Sequence, residues 1–451
     1  MKSAKLSLAL WGFGPGNVRP RRLETWNLVR RPSPGKNETI LLMQWMPDSA
    51  LGVYVSIPFC RSKCTYCNFA SGVYPASEHA RYVDRLLADL AGAGNWAESI
   101  GAHLPGTVDT VYFGGGTPSL LDPALIRKLF CAIRACSHVI PDAEITVECA
   151  PGQLPQPTLE ALAEAGVNRV SLGVQSFIDT EAHASGRLHS RVTVLDDLSR
   201  LRSSGISNIN LDLIAGLAGQ TFDSWNESLA VLLDTGVPHA SVYMLEVDED
   251  SRLGRELLSG GARYRAGLIP TDDSIARMYE TAVERLATAG LVQYEISNFA
   301  RPGQESRHNL RYWRRRPYLG LGLDASSALY AGDGFPGSSP DLLRATTTDE
   351  LKAYLENTQP PETERLDVAR RHEEAWFLGL RLNCGIDPAD LAAEFGSDRI
   401  VSALDAASQL TADGLLETDG GRIRLTARGR LLSNEVFQHF LDLQPAASPV
   451  R

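Results

Sequence analysis

From residue 51 onward, short runs rich in Val, Ile, Tyr and Phe alternate with longer stretches whose apolar positions recur at helical spacing. The short runs predict strands over 51–57, 108–113, 144–149, 167–173, 206–213 and 239–245. The stretches between them predict helices over 78–93, 123–137, 156–165, 191–204, 221–235 and 271–289. Gly166, Gly205, Gly236 and Gly290 stand just past four of these helices, where a left-handed residue is wanted. Six strand–helix units in series imply a parallel sheet with right-handed crossovers. Periodicity alone admits an open doubly wound sheet as well as a barrel. The polar residues add a direction. Gly114-Gly115-Gly116-Thr117 follows the second strand, Glu148 ends the third, Gln175 follows the fourth, Asp212 ends the fifth and Tyr243 lies near the end of the sixth. Distinctive groups at the carboxyl ends of successive strands are how barrel enzymes build their sites.

The rhythm stops after Gly290. Residues 294–330 form a dense polar and aromatic segment, from Tyr294-Glu295-Ile296-Ser297 through His308-Asn309-Leu310-Arg311-Tyr312-Trp313. Residues 332–341 are rich in Gly, Pro and Ser and read as a linker or surface loop. From about Glu362 the pattern is helical, then strand-like over 415–418 and 422–426 around an Asp419-Gly420-Gly421 turn, then helical to about Phe440. The expected organisation is therefore a barrel over 51–300, a connecting segment over 301–361, and a smaller winged-helix-like α+β domain over 362–451.

Charge removes one function that a winged helix suggests. Residues 362–442 hold nine Arg and no Lys against fifteen Asp and Glu, a net of 9 − 15 = −6, and the whole chain carries −10. Neither is a nucleic-acid footprint. No apolar run approaches the roughly 20 residues needed to span a bilayer. The first fifty residues differ from the rest, with eight Lys and Arg against three Asp and Glu. They read as a disordered extension, or as sequence upstream of a true start at Met43 or Met46.

Three of the seven cysteines crowd into eight residues, Cys60-Arg61-Ser62-Lys63-Cys64-Thr65-Tyr66-Cys67, at the end of the first strand. This points to metal or redox chemistry in a reducing cytoplasm and away from a disulfide framework. Three thiolates at C-x3-C-x2-C spacing can hold three irons of a cubane cluster, leaving one iron without a protein ligand. An open iron can take an amine and a carboxylate, which S-adenosylmethionine offers together. An electron passed from the cluster to its sulfonium can then break a carbon–sulfur bond. Zinc and inert core thiols are the alternatives. Zinc usually takes four ligands, and no second cysteine pair stands nearby. The polar residues between the cysteines suit a loop better than a core.

These cysteines after a first strand, with Tyr66 just before the third, resemble the radical S-adenosylmethionine superfamily. Within it the chain is similar to the group around oxygen-independent coproporphyrinogen III oxidase. The matching segments are Phe113 to Ser119, Gly166 to Phe177, Gly186-Arg187, Asn210 to Leu213, and His308-Asn309-x-x-Tyr312-Trp313. The oxidase carries a further cysteine where this chain has Phe69, so the resemblance is to its heme chaperone branch.

That resemblance implies a partial six-unit barrel, with a [4Fe-4S] cluster on Cys60, Cys64 and Cys67. Contacts to S-adenosylmethionine are implied for Tyr54, Tyr66, Gly115, Gly116, Thr117, Glu148, Gln175, Arg187 and Asp212. It suggests His308 as an axial ligand or propionate partner for heme, with Tyr312 and Trp313 stacking on the macrocycle. It also implies heme-accepting proteins as partners, a flavodoxin- or ferredoxin-type electron donor, a cytoplasmic location, and room for a homodimer or peripheral membrane contact. Coproporphyrinogen oxidation, radical methylation and a non-catalytic binding module are the rival readings. Three positions depart from the family pattern. Ser56 replaces a histidine, Ala150 replaces an asparagine after Glu148-Cys149, and Ser326 replaces a second histidine.

Overall fold

The computed structural model describes residues 50–332 and 341–441. The expectations for residues 1–49 and for most of the 332–341 linker fall outside them. The first half consists of β1 (Leu51–Ile57), α1 (Ala76–Ser99), β2 (Thr107–Gly115), α2 (Pro123–Cys136), β3 (His138–Cys149), α3 (Gln156–Glu164), β4 (Arg169–Gln175), α4 (Asp179–Ala184), α5 (Arg191–Ser203), β5 (Asn208–Ala215), α6 (Phe222–Asp234), β6 (His239–Met244), α7 (Arg252–Ser259) and α8 (Asp272–Thr288). Strands β1 to β6 lie side by side in sequence order, all parallel.

The remainder begins with β7 (Val292–Gln293), β8 (Asn298–Ala300), α9 (Arg307–Trp313), β9 (Tyr318–Leu321), β10 (Ser326–Tyr330), β11 (Leu342–Thr346), α10 (Leu351–Glu356) and β12 (Glu362–Leu366). Strand β9 pairs parallel to β1 on the side away from β2. Antiparallel strands then extend both edges into a twelve-stranded sheet. The second domain follows as α11 (Val368–Arg381), α12 (Pro388–Phe395), α13 (Ser397–Ala412), the hairpin β13 (Leu416–Asp419) and β14 (Arg422–Leu425), α14 (Ala427–Leu431) and α15 (Ser433–Gln438). The partial barrel and the winged-helix-like domain expected from the sequence are both present.

Alternation within the strands separates core from site. Val53, Val55, Val111, Phe113, Val147, Val170, Leu172, Leu211, Leu213 and Val242 join helix residues such as Leu86, Leu129, Leu162, Leu198, Leu229 and Met278 in one apolar core. The other face of the same strands is polar. Register aligns Tyr54 with Tyr112, Thr146 and Arg169, and aligns Glu148 with Ser171, Asn210 and His239. The barrel interior is thus lined with hydrogen-bonding groups where a sealed barrel would pack Val and Ile.

Two differences from the sequence reading have local causes. Helix α1 runs to Ser99 because Gly92 and Gly94 face open space and need not end it, and the chain turns only at Gly101, where φ is +75°. Strand β9 escaped notice because four residues containing a glycine carry no period.

Helix α9 closes the amino end of the barrel, and its Arg311 is bound into the frame. The guanidinium donates to Asp109, to the carbonyls of Ala50 (2.6 Å) and Pro317 (2.9 Å), and to Thr110 Oγ1 (3.2 Å). Its chain fills the space a side chain at Gly52 would need, since a Cβ there would lie 2.4 Å from Arg311 Cδ. Arg311→Met would leave Asp109 without its buried partner, and should cost about 3–5 kcal/mol in urea unfolding.

Candidate functional site

The cysteine loop leaves β1 and is tied down on three sides. Cys60 N–H donates to the Gly72 carbonyl (2.9 Å), Thr65 N–H to the Ser185 carbonyl (2.9 Å), and Leu253 N–H of α7 to the Thr65 carbonyl (2.9 Å). The glycine turn after β2 locks onto it from below. Gly116 N–H donates to the Ile57 carbonyl and Thr117 N–H to the Phe59 carbonyl, each at 2.8 Å.

Each sulfur has a polar side chain within reach, and Ser71 serves both Cys60 and Cys67. Thr117 Oγ1 lies 3.9 Å from Cys60 Sγ, Arg187 Nη1 lies 3.7 Å from Cys64 Sγ, and Ser71 Oγ lies 3.9 Å from Cys67 Sγ. The Tyr66 hydroxyl reaches Cys64, and the Arg187 guanidinium also donates to the Gly173 carbonyl. Burial pushes the Cys60 and Cys67 thiols up, and the neighbouring thiols push each of them further. Metal cations on the sulfurs are what would favour thiolates in such a group. In a cubane each thiolate binds its own iron, so the sulfurs stand apart.

Gly116 makes room for them. A Cβ there would sit 2.8 Å from the Phe59 carbonyl oxygen, 2.9 Å from that of Ile57 and 3.0 Å from Cys60 Sγ. Gly115 has φ +101°, and its amide donates to Glu148. Gln175 ends β4 at φ +68°, and its Oε1 is buried with no partner among the described residues. A glycine cradle, three clustered thiols and an orphaned amide oxygen fit a cluster with an amino-acid-bearing ligand beside it.

Below this mouth lies a small polar cavity of about 30 Å3, partly open to solvent, whose lining includes Tyr112, Glu148, Arg169, Asp212, Tyr243 and Asn309. Tyr112 OH donates to Glu148 Oε1 (2.7 Å). Burial raises the Glu148 carboxyl to about 7, against the pull of the Tyr112 hydroxyl, with the Asp212 charge adding to the rise. Asp212 is also raised by burial, opposed by hydrogen bonds from Ser241, Asn210 and Ser171 and by the Arg169 charge. Tyr54 stands in the same interior, with its ring 6.1 Å from that of Tyr112. Arg169 is only 2 % exposed, and its Nε has no partner among the described residues.

The residues expected from the sequence therefore gather, with one exception. His308 lies at the amino end of the barrel and is 1 % exposed. Its Nδ1 is hydrogen-bonded to Thr110 Oγ1 and its Nε2 to Tyr312 OH, each at 2.9 Å. Burial lowers its pKa to about 3, with the Arg169 charge adding to the effect. Neither ring nitrogen is free for iron, so the expectation of His308 as a heme ligand is corrected. It is a neutral packing histidine inside the helix α9 plug. Trp313 of the same helix is buried as well. The sequence reading held Arg169, Ser171 and Asn210 only as members of matching segments, without a role in the site, and missed Ser241 altogether. Their signal was present as polar residues at every second position of otherwise apolar strands.

Comparison with known proteins agrees with this geometry. The Radical SAM superfamily model matches residues 54–232, and the HemN C-terminal domain model matches residues 366–432. The heme chaperone HemW of Lactococcus lactis is 33% identical over 88% of this chain and 97% of its own length. That of Bacillus subtilis is 32% identical over 86% and 98%, and that of Escherichia coli 30% over 87% and 98%. Among solved structures, coproporphyrinogen III oxidase (HemN) from Escherichia coli, a radical SAM enzyme, shares the fold. Its TM-score is 0.72 at 24% identity, covering 89% of this chain and 92% of that one. The chain belongs to the HemW heme chaperone family of the radical SAM superfamily.

Proposed function

We propose that this protein binds heme and delivers it to acceptor proteins, holding a [4Fe-4S] cluster on Cys60, Cys64 and Cys67 with S-adenosylmethionine beside it. When bound, the cluster supplies an open iron and a source of single electrons. The chain's own part is to cradle that ligand with Gly115, Gly116 and Thr117. Arg187 and Gln175 flank it, and Glu148 and Asp212 accept from its ammonium or ribose hydroxyls.

The observation that carries the heme reading is the apolar rim on the cysteine loop and the segments that touch it. Phe69 is 60 % exposed, Val73 63 % and Leu188 60 %, and Leu257 and Leu258 stand exposed on α7. Apolar side chains left in water beside a buried metal site suit a flat, largely apolar macrocycle. Phe69 also occupies the place of the oxidase's additional cysteine, which disfavours decarboxylation. A cytoplasmic location, a flavodoxin- or ferredoxin-type donor, and a homodimer or peripheral membrane contact belong to the same proposal. Among the described residues, no helix is long and apolar enough to cross a membrane.

Heme titration of the anaerobically reconstituted protein, followed by transfer to an apo-cytochrome, tests it. Stoichiometric binding and transfer are expected, and absence of heme retention would overturn the reading. Formation of protoporphyrinogen with methionine would instead favour the oxidase. His308→Ala should leave heme stoichiometry and affinity unchanged. It should lower stability by about 2–4 kcal/mol, because a buried ring and its hydrogen bonds to Thr110 and Tyr312 are lost.

A further inference from the structure

The polar segment after Gly290 lends Asn298 and Asn309 to the cavity lining and also joins that site to the second domain. Glu295 is completely buried. Its Oε2 accepts from Arg381 Nη2 at 3.4 Å, at the end of helix α11, and the Arg381 guanidinium also lies 4.2 Å from the Trp313 ring centroid. The backbone around it is fastened to the same place. Asn383 N–H donates to the Tyr294 carbonyl (3.0 Å), and Asn383 Nδ2 to the Gln293 carbonyl (2.7 Å).

From Glu295 a chain of buried hydrogen bonds runs into the barrel. Asn298 Nδ2 donates to Glu295 Oε1 (2.5 Å), which turns Asn298 Oδ1 inward to accept from Ser241 Oγ (2.8 Å). The two hydrogens of Asn210 Nδ2 are shared among Asp212 Oδ1 (2.7 Å), Ser171 Oγ (2.7 Å) and Ser241 Oγ (3.0 Å). A second branch fixes which way Asn210 faces. Tyr294 OH accepts from Ser306 N–H (3.3 Å) and pairs with His239 Nε2 (2.9 Å), and His239 Nδ1 pairs with Asn210 Oδ1 (2.6 Å). With Asn210 Oδ1 held by the imidazole, its NH2 can only point toward Asp212 and the serines. Each bond fixes the orientation of the next group, so the chain has a direction.

We propose that Glu295, clamped by Arg381 of the second domain, is a positioning residue that sets Asp212 for the ligand at the barrel mouth. The carboxyl-terminal domain thereby controls S-adenosylmethionine affinity without touching it. This rests on the reading of Asp212 as a contact of that ligand.

The test is titration of S-adenosylmethionine into the anaerobically reconstituted full chain, with iron content and melting temperature measured alongside. Glu295→Gln removes the charged acceptor at the head of the chain, and Arg381→Met removes the clamp. Each should weaken binding roughly five- to tenfold at unchanged iron content, the size of one lost buried hydrogen bond. Arg381→Lys should recover most of the loss. The double variant should bind no more than about twofold worse than the weaker single one, because both break the same chain. Additive losses, or single variants within about twofold of wild type while Asp212→Asn weakens binding, would overturn the relay and leave the cofactor reading standing. An Asp212→Asn variant that binds as well as wild type would overturn the ligand reading itself, and the relay with it.

Discussion

Gly116→Ala should leave the chain folded but unable to keep its iron. The reason is the identity of the atoms a methyl group would meet. Two are backbone carbonyl oxygens, at 2.8 Å and 2.9 Å, and the third is the sulfur of Cys60 at 3.0 Å. Both carbonyls are already held, that of Ile57 by Gly116 N–H itself and that of Phe59 by Thr117 N–H. Neither can withdraw without breaking the lock between the glycine turn and the cysteine loop, so the loop must move and carry Cys60 with it. A displacement of this size is small for folding and large for a metal site, whose ligands must sit within about 0.2 Å of their places. Iron and acid-labile sulfide per chain should fall to near zero after anaerobic reconstitution, while the far-UV circular dichroism stays that of the wild type. Gly114→Ala is the control. A Cβ there would meet side chains, Tyr112 at 3.0 Å, Tyr54 at 3.1 Å and Glu148 at 3.2 Å, and these can swing aside. That variant should keep its cluster and lose ligand affinity instead. Full iron loading of Gly116→Ala would mean that the turn does not support Cys60.

The contrast between the two glycines shows which parts of the site could be read without coordinates. The cysteine spacing, the glycine triplet and the strand-end carboxylates were legible because their chemistry is local, a few neighbouring residues at the end of one strand. The six-unit rhythm was legible because burial on one face imposes a period of two on each strand and a helical period on each crossover. What the sequence hid depends on long-range placement. His308 has the composition of a metal ligand, and only the docking of helix α9 against Thr110 and Glu144 makes it a packing group. Arg169 looks like an ordinary strand-start residue until register puts it in the interior row of Tyr54 and Tyr112. Glu295 and Arg381 are 86 residues apart in sequence and meet only through the docking of two domains.

The Glu148 carboxyl should make both stability and ligand binding depend on pH, in opposite senses. Burial, with the nearby Asp212 charge, lifts it from an ordinary 4.5 to about 7 in the fold. An acid raised in this way is protonated in the folded chain while ionised in the unfolded one between those two values. The folded state then binds more protons, so stability falls as pH rises from 4.5 to 7, and the loss is complete above 7. Its full size is about 3 kcal/mol before solvent screening at the half-open cavity reduces it. Glu148→Gln keeps the shape and an acceptor for Tyr112 and should therefore unfold at higher urea than wild type at pH 8, with no gain at pH 4. Ligand binding should run the other way. The ammonium and hydroxyls of S-adenosylmethionine need the ionised carboxylate as acceptor, so affinity should rise through pH 7 and be about tenfold weaker at pH 6 than at pH 8. In Glu148→Gln that slope should vanish and the affinity stay low throughout. Arg169 provides the check on cause. Its buried charge favours the ionised forms of both Glu148 and Asp212, so Arg169→Met should move the midpoint of the wild-type profile above 7. A profile unchanged by both substitutions would place the titrating group elsewhere. A stabilised Glu148→Gln with weakened binding would identify a carboxyl kept at this position for its ligand and at the expense of the fold.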